Sequence, residues 1–174
     1  MSPFNSTDEF LKNKYFLTQQ QEGIKKQIID RPGNNNKANF FAVIGGAGTG
    51  KTLLTYDIAK TMISDGKKVL LIHCGQLNDG HNKLNAIQNW EIIPIKHYSN
   101  YDLGAYGLVI VDEAQRLYSG QLDDIKQKIL QMNGNCIFSY DKLQTLSAQE
   151  EVRNTGQAIN SIPSINQYKL SEKV

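Results

Sequence analysis

The stretch FFAVIGGAGTGKTLLTYDIAK, residues 40–60, decides the fold. An apolar run ends in a glycine cluster, and a helical pattern starts directly behind it. Residues 45–52, GGAGTGKT, fit the phosphate-loop spacing G-x-x-x-x-G-K-[ST]. Glycines let the backbone wrap inward, so that successive N–H groups face one phosphate. The helix that starts there adds free donors and the positive end of its dipole. Gly46, Ala47, Gly48, Thr49, Gly50, Lys51, Thr52 and Leu53 form the expected cup. Lys51 would bring a mobile charge to the β- and γ-phosphates, and Thr52 a hydroxyl to Mg²⁺. The expected ligand is a nucleoside triphosphate with magnesium.

Outward from this loop, strands and helices alternate. Apolar strands are expected at residues 38–45, 67–74, 106–114 and 135–141, with a last one at 164–170. Residues 91–98 read as a short strand that Pro94 demotes to an edge or a bulge. The helix behind the loop should run from Thr49 to Ser64, with Leu54, Ile58 and Met62 inward and Gly66 as its stop. A weaker helix is expected at 81–90. Another, at 121–132, has Leu122, Ile125, Ile129 and Met132 on one stripe. Two capping boxes, Ser6-x-x-Glu9 and Thr18-x-x-Gln21, predict helices near the N-terminus, the second with Ile24 and Ile28 inward and Pro32-Gly33 as its stop. A third, Ser147-x-x-Glu150, opens a helix fading near Ile159. Such alternation argues for an α/β fold, a parallel sheet with helices on both faces.

The second chemical element is LVIVDEAQRL, residues 108–117. A buried strand that ends in Asp112-Glu113 places two carboxylates over the sheet edge where ligands bind. Asp112 would hold Mg²⁺, and Glu113 would accept a proton from, or orient, the attacking water. The plainer reading is an acidic N-cap for the next helix.

Composition sets the class. With 174 residues, 40% apolar and 21% charged, the chain fits one globular domain, alone or with an appendage. A net charge of +2 neither requires nor excludes a nucleic-acid partner. Cys74 and Cys136 sit in apolar runs and read as free thiols, and three histidines with no zinc-site spacing argue against a metal centre of that kind. No run reaches the about 18 apolar residues of a membrane span, and no signal-peptide core is present. A cytoplasmic protein without membrane contact is expected.

Taken in order, GGAGTGKT, VLLIHC, LVIVDEAQRL and CIFSYDKLQTLS resemble the motifs of superfamily-one helicases, in their first RecA-like domain. The likeness is greatest to bacterial Schlafen-related, helicase-like ATPases and runs from residue 17 to residue 174. It implies a P-loop NTPase of RecA-like fold that uses ATP and Mg²⁺. The third motif usually reads Gly-Asp-x-x-Gln; here Tyr140 replaces the glycine, while Asp141 and Gln144 match. The resemblance gives Gln144 the task of sensing the γ-phosphate, and makes Lys51 and Glu113 its catalytic companions. LTQQQ resembles the family's Q motif, in which Gln21 would read the adenine edge; the capping box is the competing reading of the same residue. In HCGQLNDGHNKL, Gly75, Asn78, His81 and Lys83 would contact a single strand, or else form a solvated loop with His73 packed on the sheet edge. Gln115 and Arg116 could face the nucleotide or a partner domain, and Arg116 could equally be a surface ion-pair residue.

The resemblance further implies single-stranded DNA or RNA and a second RecA-like domain as partners. That second domain would supply arginine fingers worth about 10³ to 10⁵ in rate. Arg31, Arg116 and Arg153 fit no finger motif. The chain therefore reads as residues 1–36, an N-terminal helical segment, and residues 37–174, a RecA-like domain from a longer protein, with slow hydrolysis on its own and a monomeric state. Two other readings stand beside it: a nucleoside kinase of thymidine-kinase type, since such kinases combine a phosphate loop with the Asp112–Gln115 sequence, and a nucleotide-dependent regulatory switch.

Overall fold

Six strands form one parallel sheet: β1 (Asn39–Gly45), β2 (Val69–His73), β3 (Glu91–Pro94), β4 (Leu108–Asp112), β5 (Asn135–Tyr140) and β6 (Asn166–Leu170). Their order across the sheet is β3-β2-β4-β5-β1-β6. This is an α/β P-loop NTPase fold. The computed structural model describes residues 2–4, 6–30, 36–141 and 150–171, and residues 150–154 by their backbone alone. Gln144, the Ser147 cap, the Pro32-Gly33 stop, Arg31 and the Arg153 side chain lie outside the described residues.

Alternation along the strands splits the core into two layers. Phe41, Val43, Leu71, Ile110 and Ile137 face α1 (Thr7–Leu11), α2 (Gln19–Ile29), α3 (Lys51–Ser64) and α4 (Asp79–Asn85). Phe40, Ala42, Ile72, Val111 and Phe138 face α5 (Ser119–Gln131) and α6 (Glu150–Asn160). The chain moves across the sheet in one direction from β1 to β3 on the first face, then back from β3 to β6 on the second. One handedness of crossover demands that switch of face. β1 and β5 are neighbours whose connections leave to opposite faces, which opens a crevice at their C-terminal ends.

Several local expectations are corrected. Ser6 makes no side-chain cap, so α1 opens without the Ser6–Glu9 box; Thr7 Oγ1 instead donates to the Pro3 carbonyl at 2.8 Å. α3 starts at Lys51, not Thr49, because Gly50 takes a left-handed backbone with φ 80° and ends the loop first. α4 spans Asp79–Asn85, shorter than residues 81–90, and Trp90 packs in the core beside Tyr56 and Phe10. β3 is an edge strand that stops at Pro94, where a 3₁₀ turn, Ile95–Asn100, takes over. Met132 lies past the end of α5 and is 53% exposed, off the stripe of Leu122, Ile125 and Ile129. Cys136 is buried and Cys74 half-buried, both free. Among the described residues no helix is long and apolar enough to cross a membrane.

The N-terminal helices share the first core layer through Phe10, Ile24 and Ile28. A half-buried ion pair adds to this: Lys25 on α2 meets Asp57 on α3 at 2.6 Å, and Tyr15 donates its hydroxyl to the same carboxylate.

Candidate functional site

The loop after β1 closes tightly on itself. A Cβ at Gly45 would collide with Thr49 Oγ1 and lie 3.2 Å from the Leu170 carbonyl of β6, so only glycine fits there. Gly48 and Gly50 both take left-handed backbone, with φ 78° and 80°. Thr49 Oγ1 and Lys51 Nζ both donate to the Gly46 carbonyl, at 2.7 and 3.0 Å. Burial lowers the pKa of Lys51, and the charges of Asp141, Asp112 and Glu113 act against that shift. The ammonium thus feels the charge of three carboxylates from the ends of two other strands.

Gln21 completes both halves of the expected capping box, with Thr18 N–H donating to its side-chain oxygen at 2.8 Å. Its amide nitrogen turns to the back of the phosphate loop and donates to the carbonyls of Thr49 and Gly50, at 3.4 and 3.3 Å. The residue is buried, and Thr49–Gly50 is the segment it grips.

At the end of β4, Asp112 is buried and its two oxygens have separate donors. Oδ1 accepts from Glu113 N–H at 3.0 Å, and Oδ2 lies 3.2 Å from His73 Nδ1. Glu113 has a left-handed backbone, φ 53°, a strained conformation for a side chain of this kind. Its carboxylate meets Arg116 Nε at 3.0 Å on the solvent side and rests over Gly75, where a Cβ would collide with it. A cavity of about 350 Å³ has Thr52, Asp112, Glu113, His73 and Arg116 in its wall. No cluster of three or more histidine, cysteine or carboxylate side chains suited to a metal occurs among the described residues. A hydroxyl, one carboxylate and phosphate oxygens are, however, the donor set magnesium takes, and Thr52 and Asp112 share that cavity wall.

For three residues singled out in the sequence, the contacts themselves escaped sequence reasoning. Gln115 is buried, and its side-chain oxygen accepts from Asp141 N–H at 3.2 Å, tying the end of β4 to the end of β5. The neighbouring sequence DEAQ and the distant YD were visible; their joining was not. Tyr140, in the glycine position of the third motif, packs against α6: its hydroxyl donates to Asn160 at 2.8 Å and its ring lies on Gly156. His81 is neither a surface donor nor part of a solvated loop. It is 1% exposed, and its Nδ1 accepts from Asn78 N–H at 2.9 Å while Asn78 Oδ1 caps the helix start in return. Asn78 and Lys83 are exposed. Histidine at the third helical position masked this capping box, since Glu or Gln is the usual signal.

A model of the PIF1-like helicase family matches residues 16–77, which hold Gln21, the phosphate loop and His73. No curated protein matches the chain. Among solved structures, a DNA replication initiation factor superposes with a TM-score of 0.57 at 14% identity, over 92% of this chain and 49% of that one. The helicase domain of Hef from Pyrococcus furiosus superposes with a TM-score of 0.54 at 14% identity, over 87% of this chain and 38% of that one. The chain thus spans half or less of these structures, and at such identity the likeness is one of fold.

Proposed function

We propose that the chain is the nucleotide-binding motor domain of a helicase-like ATPase that acts on single-stranded DNA or RNA. One observation carries the reading: Thr52 of the phosphate loop shares a cavity wall with Asp112 and Glu113, and the charges of Asp141, Asp112 and Glu113 act on the neighbouring Lys51. The family match over residues 16–77 supports a helicase rather than a kinase. The Schlafen-related likeness, the helical segment 1–36 as an adjunct to residues 37–174, a monomeric and cytoplasmic state, and a second RecA-like domain belong to the same proposal.

The backbone amides of Gly46, Ala47, Gly48, Thr49, Gly50, Lys51, Thr52 and Leu53 would receive the phosphates of ATP. Lys51 would exchange its bond to the Gly46 carbonyl for the β- and γ-phosphates. Thr52 and Asp112 would hold Mg²⁺, which when bound offsets phosphate charge. Glu113 would accept the proton of the attacking water, with Arg116 and the space over Gly75 setting its orientation. Gln144 would sense the γ-phosphate. Gln21 would read adenine only by surrendering a bond to the loop.

The test uses the full-length protein with this domain intact. Lys51→Ala should abolish Mg·ATP binding in calorimetry, and single strands should raise ATP hydrolysis in the unmodified protein by tenfold or more. An identical rate with and without nucleic acid would defeat the motor reading, and transfer of the γ-phosphate to a nucleoside would replace it with the kinase.

A further inference from the structure

The candidate metal carboxylate is held by a chain of rings that begins at the N-terminus. Asp112 can only accept hydrogen bonds, so the His73 Nδ1 that meets it at 3.2 Å carries the hydrogen. The two residues are register partners on β4 and β2, and Cys74 N–H donates to the Asp112 carbonyl at 3.0 Å, so their backbones cannot drift apart. The far side of the His73 ring is occupied too. His81 lies against it with centroids 4.4 Å apart, and Phe4 lies against His81 at 3.8 Å. Each ring in the row is independently fixed. His81 is anchored by the Asn78 N–H bond, and Phe4 meets Tyr56 edge-on at 4.9 Å. Position 80 must be glycine for Phe4 to reach this place, since a Cβ there would collide with the Phe4 backbone. Next to His73, position 75 is constrained likewise: a Cβ would lie 2.9 Å from His73 Nε2.

We propose that His73 is a positioning residue for the metal-holding carboxylate, and that Phe4 and His81 keep His73 in place. The inference rests on the nucleotide reading above and adds a layer to it. Magnesium tolerates little departure from octahedral geometry and takes few protein ligands, so the orientation of its one carboxylate matters. With Oδ1 held by Glu113 N–H and Oδ2 by His73, Asp112 stays in one rotamer with a free lone pair on each oxygen. Loss of an outer-layer partner of this kind typically costs 10–100-fold in metal affinity. The phosphate contacts proposed above do not include His73, so nucleotide binding without metal should be insensitive to it.

The experiment compares affinity for a non-hydrolysable ATP analogue in excess Mg²⁺ and in EDTA, by calorimetry on the whole chain. The readout is the gain that magnesium confers. His73→Phe should leave the EDTA affinity within about twofold and reduce the magnesium gain about tenfold. His73→Asn, whose amide can donate from nearly the Nδ1 position, should keep most of the gain. Phe4→Ala should show a smaller loss, again confined to the magnesium arm. An unchanged gain in His73→Phe, or equal losses in both arms, would overturn the inference while leaving the nucleotide reading intact. Absence of analogue binding by the unmodified chain would remove both. Should His73→Phe fail to fold, Phe4→Ala decides: a magnesium-specific loss supports the proposal and an unchanged gain overturns it.

Discussion

Gln21 and Gly50 are 29 positions apart, yet the side-chain amide of the first donates to the carbonyl of the second at 3.3 Å. The same amide reaches Thr49, and its oxygen closes the cap of α2. One side chain therefore couples the start of α2 to the loop segment whose left-handed glycine starts α3. Gln21→Ala removes the brace: the Thr49 carbonyl loses the Gln21 amide, while the Gly50 carbonyl keeps its bond from Leu54 N–H at 3.0 Å. ATP and GTP affinities are expected to fall together by about tenfold, near the worth of one or two hydrogen bonds. Parallel titrations with the two nucleotides check this; a loss confined to ATP would assign Gln21 to the adenine edge.

Glu113 sits in a strained backbone with its carboxylate over Gly75 and against Arg116. Glu113→Gln keeps the shape and removes the proton acceptor. Mg·ATP binding should stay within about threefold, whereas single-turnover phosphate release should slow by about 10² or more. Comparable losses in binding and release would mean that Glu113 serves the structure and not the reaction.

Asp57 is buried on α3 and holds Lys25 at 2.6 Å together with the Tyr15 hydroxyl. Asp57→Ala strands a cation and a phenol that the N-terminal segment brought inward. Removal of one partner from a buried pair costs about 3–5 kcal/mol, and the partial exposure of Lys25 places this case at the low end, about 3 kcal/mol. Urea unfolding followed by circular dichroism measures it. A change under about 1 kcal/mol would show that the pair contributes little to docking of α2.

His81 is expected to lend this region acid sensitivity. Burial, and then the neighbouring His73, push its pKa down to about 4, with Asp112 opposing. The unfolded chain, with an ordinary value of about 6.5, binds the proton more readily. Stability from this group is therefore complete above about pH 6.5 and is lost as pH falls toward 4. His81→Asn keeps an acceptor for Asn78 N–H and removes the titration. Its Tm should decline less between pH 7 and pH 4.5 than that of the unmodified protein; parallel declines would assign the acid sensitivity elsewhere.

Much of this architecture was legible in the sequence because it is local. An unbroken apolar run identifies a central strand buried on both faces, and GGAGTGKT specifies its own backbone through glycine, so β1, its loop and α3 followed from residues 38–64 alone. The carboxylates at 112 and 113 were legible for the same reason: a strand ending in acid must deliver it to the ligand edge. The errors were local as well. Gly50 outcompeted Thr49 as the helix boundary, and histidine in a capping box gave no familiar signal.

What the tertiary structure alone decided is which distant residues share the crevice. Strand order places β5 between β1 and β4, which brings Asp141 to Lys51 and Gln115 to Asp141, and the β2–β4 register sets His73 beside Asp112. The ring row from Phe4 to His73 spans about seventy positions and has no periodic trace in the chain. Pattern in a sequence records the neighbours a residue has along its own helix or strand. Neighbours across strands depend on crossover handedness and packing, and those are settled only when the whole sheet assembles.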